Sequence, residues 1–216
     1  MLANAGIIQR EILMPRDKTA NHIKIMAAAK EEFMAYGFND ASMRNIGRRC
    51  NMSAAGIYRH CRDKEDLFDQ LVSPAVEKIN SWIEKHNENY TIPLKDCKYI
   101  NWKDSEIDMM RDIIYPNMEE YHLLFAKAQG SKYENFLHDI TNRSQEQLLL
   151  FITQLKKCGY KPKNVSKKEL HLLLLAYNTA LLEPVIHNYS LPDAMHSLDT
   201  IEAFFIPGWK ALLDFK

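Results

Sequence analysis

Apolar residues recur at helical spacing along almost the whole chain. Between Thr19 and Tyr36 the positions Ile23, Met26, Ala27, Ala29, Phe33 and Met34 keep that period. They predict a first helix, capped by Asp17 or Thr19 and closed by Gly37, since glycine tolerates the left-handed C′ conformation. Met43, Ile46, Gly47 and Cys50 form the stripe of a second helix that starts after Ser42. Arg44 and Arg48 fall on its opposite face, with Asn45 and Arg49 beside them. Asn51 suits a left-handed turn, and Met52 can plug the corner. Ser53 caps a third helix from Ala54 to about Cys61, and Asp63 caps a fourth. The fourth runs through Leu67, Leu71, Val76, Ile79, Trp82 and Ile83, with a kink expected at Pro74.

The pattern then loosens. Residues 86–103 are polar and tyrosine-rich around Pro93, which predicts a loop. Helices follow at about 104–115 and 118–129, up to Gly130. Ser131 and Glu134 have capping-box spacing and open a long helix to Cys158, closed by Gly159 and Pro162. Ser166 and Glu169 repeat the spacing before HLLLLAYNTALLEPVI, a run apolar on nearly every side. Such a helix needs cover on more than one face, from its own domain and either a second chain or a thick monomeric core. A last helix, His196 to Phe215, adds Leu198, Ile201, Phe204, Phe205, Trp209, Leu212 and Leu213. The chain is expected to be all-α: a flexible arm at 1–17, a head at 18–70 and a larger helical domain at 71–216.

Charge changes this picture locally. The formal net charge is zero, yet Asp40 to Lys64 holds six cations against two anions. A basic island in a neutral chain is either a solvated face or the footprint of a phosphate-binding surface. The four cysteines show neither a CxxC pair nor metal-ligand spacing, and Cys50 and Cys61 fall on apolar helix positions. For these two, reduced core thiols in a cytoplasmic protein are expected, with a redox switch as the alternative. No uninterrupted apolar run reaches 18 residues, so no membrane span is expected either. The opening residues lack the small-residue cleavage pattern of a secretory leader.

The island falls on two short helices joined by a tight turn, the arrangement that sets a helix into the DNA major groove. Gly56 costs about 1 kcal/mol of helix stability relative to alanine, and it removes bulk where backbone must approach a duplex. Ala54, Ile57 and Cys61 face inward; Ala55, Gly56 and Arg59 face outward. Tyr58, between the faces, and Lys64, at the next helix start, can reach phosphates. Ser42-Met43-Arg44-Asn45-Ile46-Gly47, Met52-Ser53-Ala54-Ala55-Gly56-Ile57-Tyr58-Arg59-His60 and Asp63-Lys64-Glu65-Asp66-Leu67-Phe68 together resemble the N-terminal domain of the TetR family of bacterial repressors. The resemblance spans about residues 18–70. It departs at Cys61, where the family usually has Phe, at Asn51, which replaces a common Gly, and at Ala54, which replaces a frequent Lys.

The resemblance implies a homodimer with two helix-turn-helix heads and a divergent helical effector domain. It points to double-stranded DNA with a palindromic operator as partner. Ser42, Arg44, Ser53, Ala55, Gly56, Tyr58, Arg59, His60 and Lys64 are the expected contacts, and the two C-terminal helices the dimer interface. An apolar or aromatic effector is expected among Trp82, Trp102, Met109, Met118, His122, Phe125, Phe136 and Tyr177, although helical spacing alone makes most of these plain core. Scattered histidines without acidic or thiol companions argue against a metal, and no cofactor is expected. The chain has no GxSxG, HExxH or glycine-rich phosphate loop, so an enzyme is not expected. The remaining alternative is a protein-interaction module that keeps the motif without binding DNA; an acidic or apolar third helix would favour it, whereas Arg59, Arg62 and Lys64 favour DNA.

Overall fold

The computed structural model describes residues 18–87 and 105–214. The expectations for the arm at 1–17, the loop around Pro93, Cys97 and Trp102 fall outside the described residues. Within them every regular element is helical. The head consists of α1 (Lys18–Asp40), α2 (Met43–Arg49) and α3 (Ala54–Ile57). From it α4 (Lys64–Asn87) runs into the body, passing through Pro74. The body continues with α5 (Ser105–Asp108), a π-helical turn (Met109–Ile114), a 3-10 turn (Tyr115–Asn117), α6 (Met118–Ala126), α7 (Phe136–Lys157), α8 (Lys167–Ile186) and α9 (Leu191–Leu213).

Gly37 interrupts α1 with φ 73° and ψ 170°, but the chain resumes a helical turn to Asp40 instead of ending. The interruption turns the Phe38 N–H outward, where it donates to the Lys127 carbonyl of the body at 2.7 Å. Other boundaries also differ from expectation. α3 ends at Ile57, and Arg59 and His60 then bond to carbonyls three residues back in a tightened turn. The Ser131 and Glu134 pair closes a turn, not a helix: the Ser131 hydroxyl accepts from the Tyr133 N–H and the Glu134 carboxylate from the Gly130 N–H, each at 3.1 Å. The long helix α7 starts only after it. The second capping box is present in full at Ser166 and Glu169. α9 begins earlier than its apolar stripe suggests, because Ser190 caps it and Pro192 sits in its first turn, where its missing N–H costs nothing.

Two features bear on the thiol and membrane expectations. Cys50 and Cys61 are free thiols, as expected of them, and Cys158 is disulfide-bonded. α8 is also long and apolar enough, by length and composition, to cross a membrane. Its Tyr177, Asn178 and Thr179 break the uninterrupted run without lowering the average much. In the fold it is the central helix of the body, packed against α6, α7 and α9.

The core is continuous from head to body. Phe33, Phe38 and Phe68 pack their rings together in the head, with Phe68 at 5.0 Å from Phe33 and 5.2 Å from Phe38. From Phe68 the ring contacts pass to Tyr133 at 6.4 Å, Phe136 at 6.4 Å, Phe125 at 6.0 Å and Tyr121 at 6.2 Å. The Tyr121 hydroxyl, inside the body, donates to the Ala75 carbonyl of α4.

Candidate nucleic-acid interface

The turn between α2 and α3 takes its shape from three residues. Asn51 adopts φ 55°, the left-handed conformation expected of it. The Met52 N–H donates to the Gly47 carbonyl at 2.8 Å, drawing the chain across α2. A β-carbon on Gly47 would stand 2.6 Å from the Met52 carbonyl oxygen, so the glycine is required by this turn more than by a crossing helix. The Ser53 hydroxyl accepts from the Gly56 N–H at 3.1 Å and caps α3. Ile57 and Cys61 are buried beneath it, while Ala54 is only half-buried.

α2 is held differently from expectation. Ser42 occupies its N-cap with extended backbone, but its hydroxyl makes no cap bond. The buried carboxylate of Glu32 on α1 does that work. It accepts from the Ser42 N–H at 3.3 Å, the Asn45 amide at 2.9 Å and the Arg49 guanidinium at 3.1 Å. Burial alone would raise this carboxyl, but the hydrogen bonds from Asn45, Arg49 and Ser42 outweigh it and hold it below the usual carboxylate value. Arg49 also pairs with Glu31, so one of the six island cations is spent on structure. Arg62 likewise pairs with Asp66 at 3.4 Å.

The remaining groups face outward. Tyr58 is 52% exposed, a large value for an aromatic ring. Arg44, Ala55 and Arg59 are exposed, and Gly56 and His60 half-buried. A β-carbon on Gly56 would touch only the Ser53 hydroxyl at 3.4 Å and the Met52 side chain at 3.7 Å, so nothing inside the protein demands glycine there. Lys64 behaves differently. Its ammonium donates to the Asn39 carbonyl at 2.9 Å and the Ala41 carbonyl at 3.3 Å, and it lies 4.5 Å from the Phe38 ring centroid. It ties the end of α1 to the start of α4. Asp63 caps α4 as expected, accepting from the Asp66 N–H at 2.7 Å.

The expected effector residues do not form one ring. Phe125 and Phe136 are brought together. Tyr177 lies in a separate cluster with Phe205 and Trp209 of α9, at 5.1 and 6.4 Å. Met109 is buried in the π-helical turn; Trp82 and Met118 are half-buried. His122 is buried, with Nδ1 3.1 Å from the Val185 carbonyl. A carbonyl only accepts, so that nitrogen carries the proton. One polar residue that the pattern did not single out crosses the body: Arg143 on α7 donates to the Asn80 side chain of α4 at 2.8 Å. Among the described residues no cluster of three or more metal-ligating side chains occurs.

The sequence profile of bacterial regulatory proteins, tetR family, matches residues 25–71, which hold most of α1, all of α2 and α3, and the first turns of α4. No curated protein matches the chain by sequence. Among solved structures, a TetR-like transcriptional regulator from Rhodococcus sp. RHA1 is similar over 90% of this chain and 99% of its own, at 14% identity and a TM-score of 0.53. NalD of Pseudomonas aeruginosa, the secondary repressor of the MexAB-OprM multidrug efflux pump, is similar over 86% and 96%, at 16% identity and a TM-score of 0.44. The Rhodococcus likeness shows that the shared fold extends over the body as well as the head. Residues 25–71 thus match the helix-turn-helix domain of bacterial regulatory proteins, tetR family, and the chain as a whole shares the fold of a TetR-like transcriptional regulator.

Proposed function

We propose that the protein is a cytoplasmic repressor that binds a palindromic operator as a homodimer and leaves it when a small molecule enters the body. The observation that carries the reading is the outward face of the head. Tyr58, Arg59 and Arg44 are exposed there, and among the described residues neither arginine is engaged in an ion pair. Gly56 lies between them with no internal reason to be glycine. Cations held outward beside accessible backbone suit a phosphate-lined groove. Dimerisation is supported by α8 and α9, which leave Leu172 and Phe204 65% and 77% exposed. Large apolar side chains in such positions are what a second chain covers.

The test is fluorescence anisotropy of the full chain on duplex DNA from its own promoter region and on random duplex. Specific binding should fall steeply as salt rises from about 50 to 200 mM, because bound cations displace counterions. Affinity indifferent to salt would remove the electrostatic basis of the reading.

A further inference from the structure

Arg143 is half-buried in the body, on the side of α7 that faces α4. Exposed acids stand one turn away in both directions on its own helix, Asp139 and Glu146. Pairs at i,i+4 and i,i+3 are the cheapest partners an arginine can find. Arg143 forgoes both. Its guanidinium reaches instead to Oδ1 of Asn80, a neutral amide, which among the described residues is its hydrogen-bond partner. The pair links two helices whose main packing is with others, α4 with α1, α6 and the π-helical turn, and α7 with α8.

The donor count follows from the chemistry of the two side chains. A guanidinium carries five N–H groups and no acceptor; an amide carries two N–H groups and one oxygen. With the Asn80 oxygen accepting from Arg143, what the pair has left is mostly N–H groups. A charge drawn away from water is costly unless an opposite charge meets it. Asn80 satisfies geometry without neutralising charge. On the same two helices Ile79 and Ile140 belong to the buried core, and Ile83 and the half-buried Trp82 pack against it, so apolar side chains adjoin the pair along both helices.

We infer that Arg143 and Asn80 form an oxyanion receptor, and that the effector is an apolar molecule ending in a carboxylate. The planar fork of arginine fits a carboxylate through two parallel hydrogen bonds. The Asn80 amide supplies a further donor at the edge of that fork. This inference rests on the reading of the protein as ligand-responsive, but it is tested by binding to the free protein, apart from any effect on DNA.

The experiment is a thermal-shift titration of the full chain with decanoate and 2-naphthoate, beside their neutral counterparts decanol and 2-naphthol, and with decyl phosphate. At least one carboxylate should raise the melting temperature by several degrees at saturation, as ligand linkage requires for tight occupancy. Its neutral counterpart should give a much smaller shift. Arg143→Gln should weaken the carboxylate at least tenfold. Asn80→Asp should also abolish it, because an aspartate placed there neutralises Arg143 from within; that variant is expected to melt higher than the wild type without ligand, which shows that it folds. Equal shifts from acid and alcohol, retention of binding in both variants, or no shift from either carboxylate overturns the receptor. A larger shift from decyl phosphate than from decanoate overturns the carboxylate in favour of a phosphate ester. If carboxylates bind as expected but operator affinity is unchanged, the receptor stands and the release mechanism fails.

Discussion

Arg59 and Lys64 are both cations beside the recognition helix, and the structure gives them different surroundings. Arg59 is exposed and outside every ion pair among the described residues, so it is available to a base edge. Arg59→Ala should relax base preference by about 1–3 kcal/mol of discrimination while leaving random-duplex binding nearly intact. Equal losses on specific and random duplex would make it a phosphate contact. Tyr58→Phe should weaken both duplexes alike. Lys64→Ala has a second effect, since its ammonium already holds the Asn39 and Ala41 carbonyls. It should lower the melting temperature as well as DNA affinity. Gly47→Ala tests the turn itself: with the Met52 carbonyl 2.6 Å from the new methyl, the backbone must shift, at a cost of about 1–3 kcal/mol in chemical denaturation. The roles of Asn51, Ser53 and Asp63 were legible in the sequence because each acts on its immediate neighbours. Glu32 was not. It lies ten residues before the helix it caps, and only the packing of α1 on α2 brings it there.

Helix α2 is fixed by that one carboxylate, which makes the head acid-sensitive in a defined direction. The folded-state value of Glu32 lies below the ordinary 4.5, so its contribution is fully present above about that pH. It is lost as pH falls through the lowered folded-state value. Glu32→Gln should therefore be less stable than the wild type at pH 7, and urea midpoints of the two should converge in acid. The body grips the head through another element, the turn between α6 and α7. The Lys132 N–H donates to Glu65 at 3.1 Å, its ammonium pairs with Asp69 at 2.7 Å, and the Tyr133 hydroxyl also donates to Asp69. Desolvation and the Asp69 carboxylate together push the Tyr133 phenol up to about 12. Nothing local announced this joint. Ser131 and Glu134 have the spacing of a helix start, and the same two side chains close a turn because residues 132 and 133 are engaged by α4. Sequence spacing identifies a capping pair; it does not say whether a helix or a turn is capped.

Across the chain as a whole, the helical class and the head were readable from periodicity, whereas the arrangement of the body was not. An all-round apolar run such as α8 says that cover exists without saying what provides it. The exposed side chains now divide that cover: α6, α7 and α9 take part of α8, and Leu172 is left outside. Phe204→Glu should convert a dimer to a monomer in analytical ultracentrifugation and weaken operator binding far more than random-duplex binding, since two linked heads are needed to span a palindrome. The line of rings from Phe33 through Phe68, Tyr133, Phe136 and Phe125 to Tyr121 has a thermodynamic consequence. A head and a body joined by loose linkers would melt as two units, each with its own midpoint. Here the last ring of the head is packed against the first ring of the body, so neither can lose its interior while the other keeps its own. Differential scanning calorimetry should show a single endotherm whose calorimetric and van't Hoff enthalpies agree per cooperative unit, and residues 18–70 expressed alone should lack the sharp melting of the full chain.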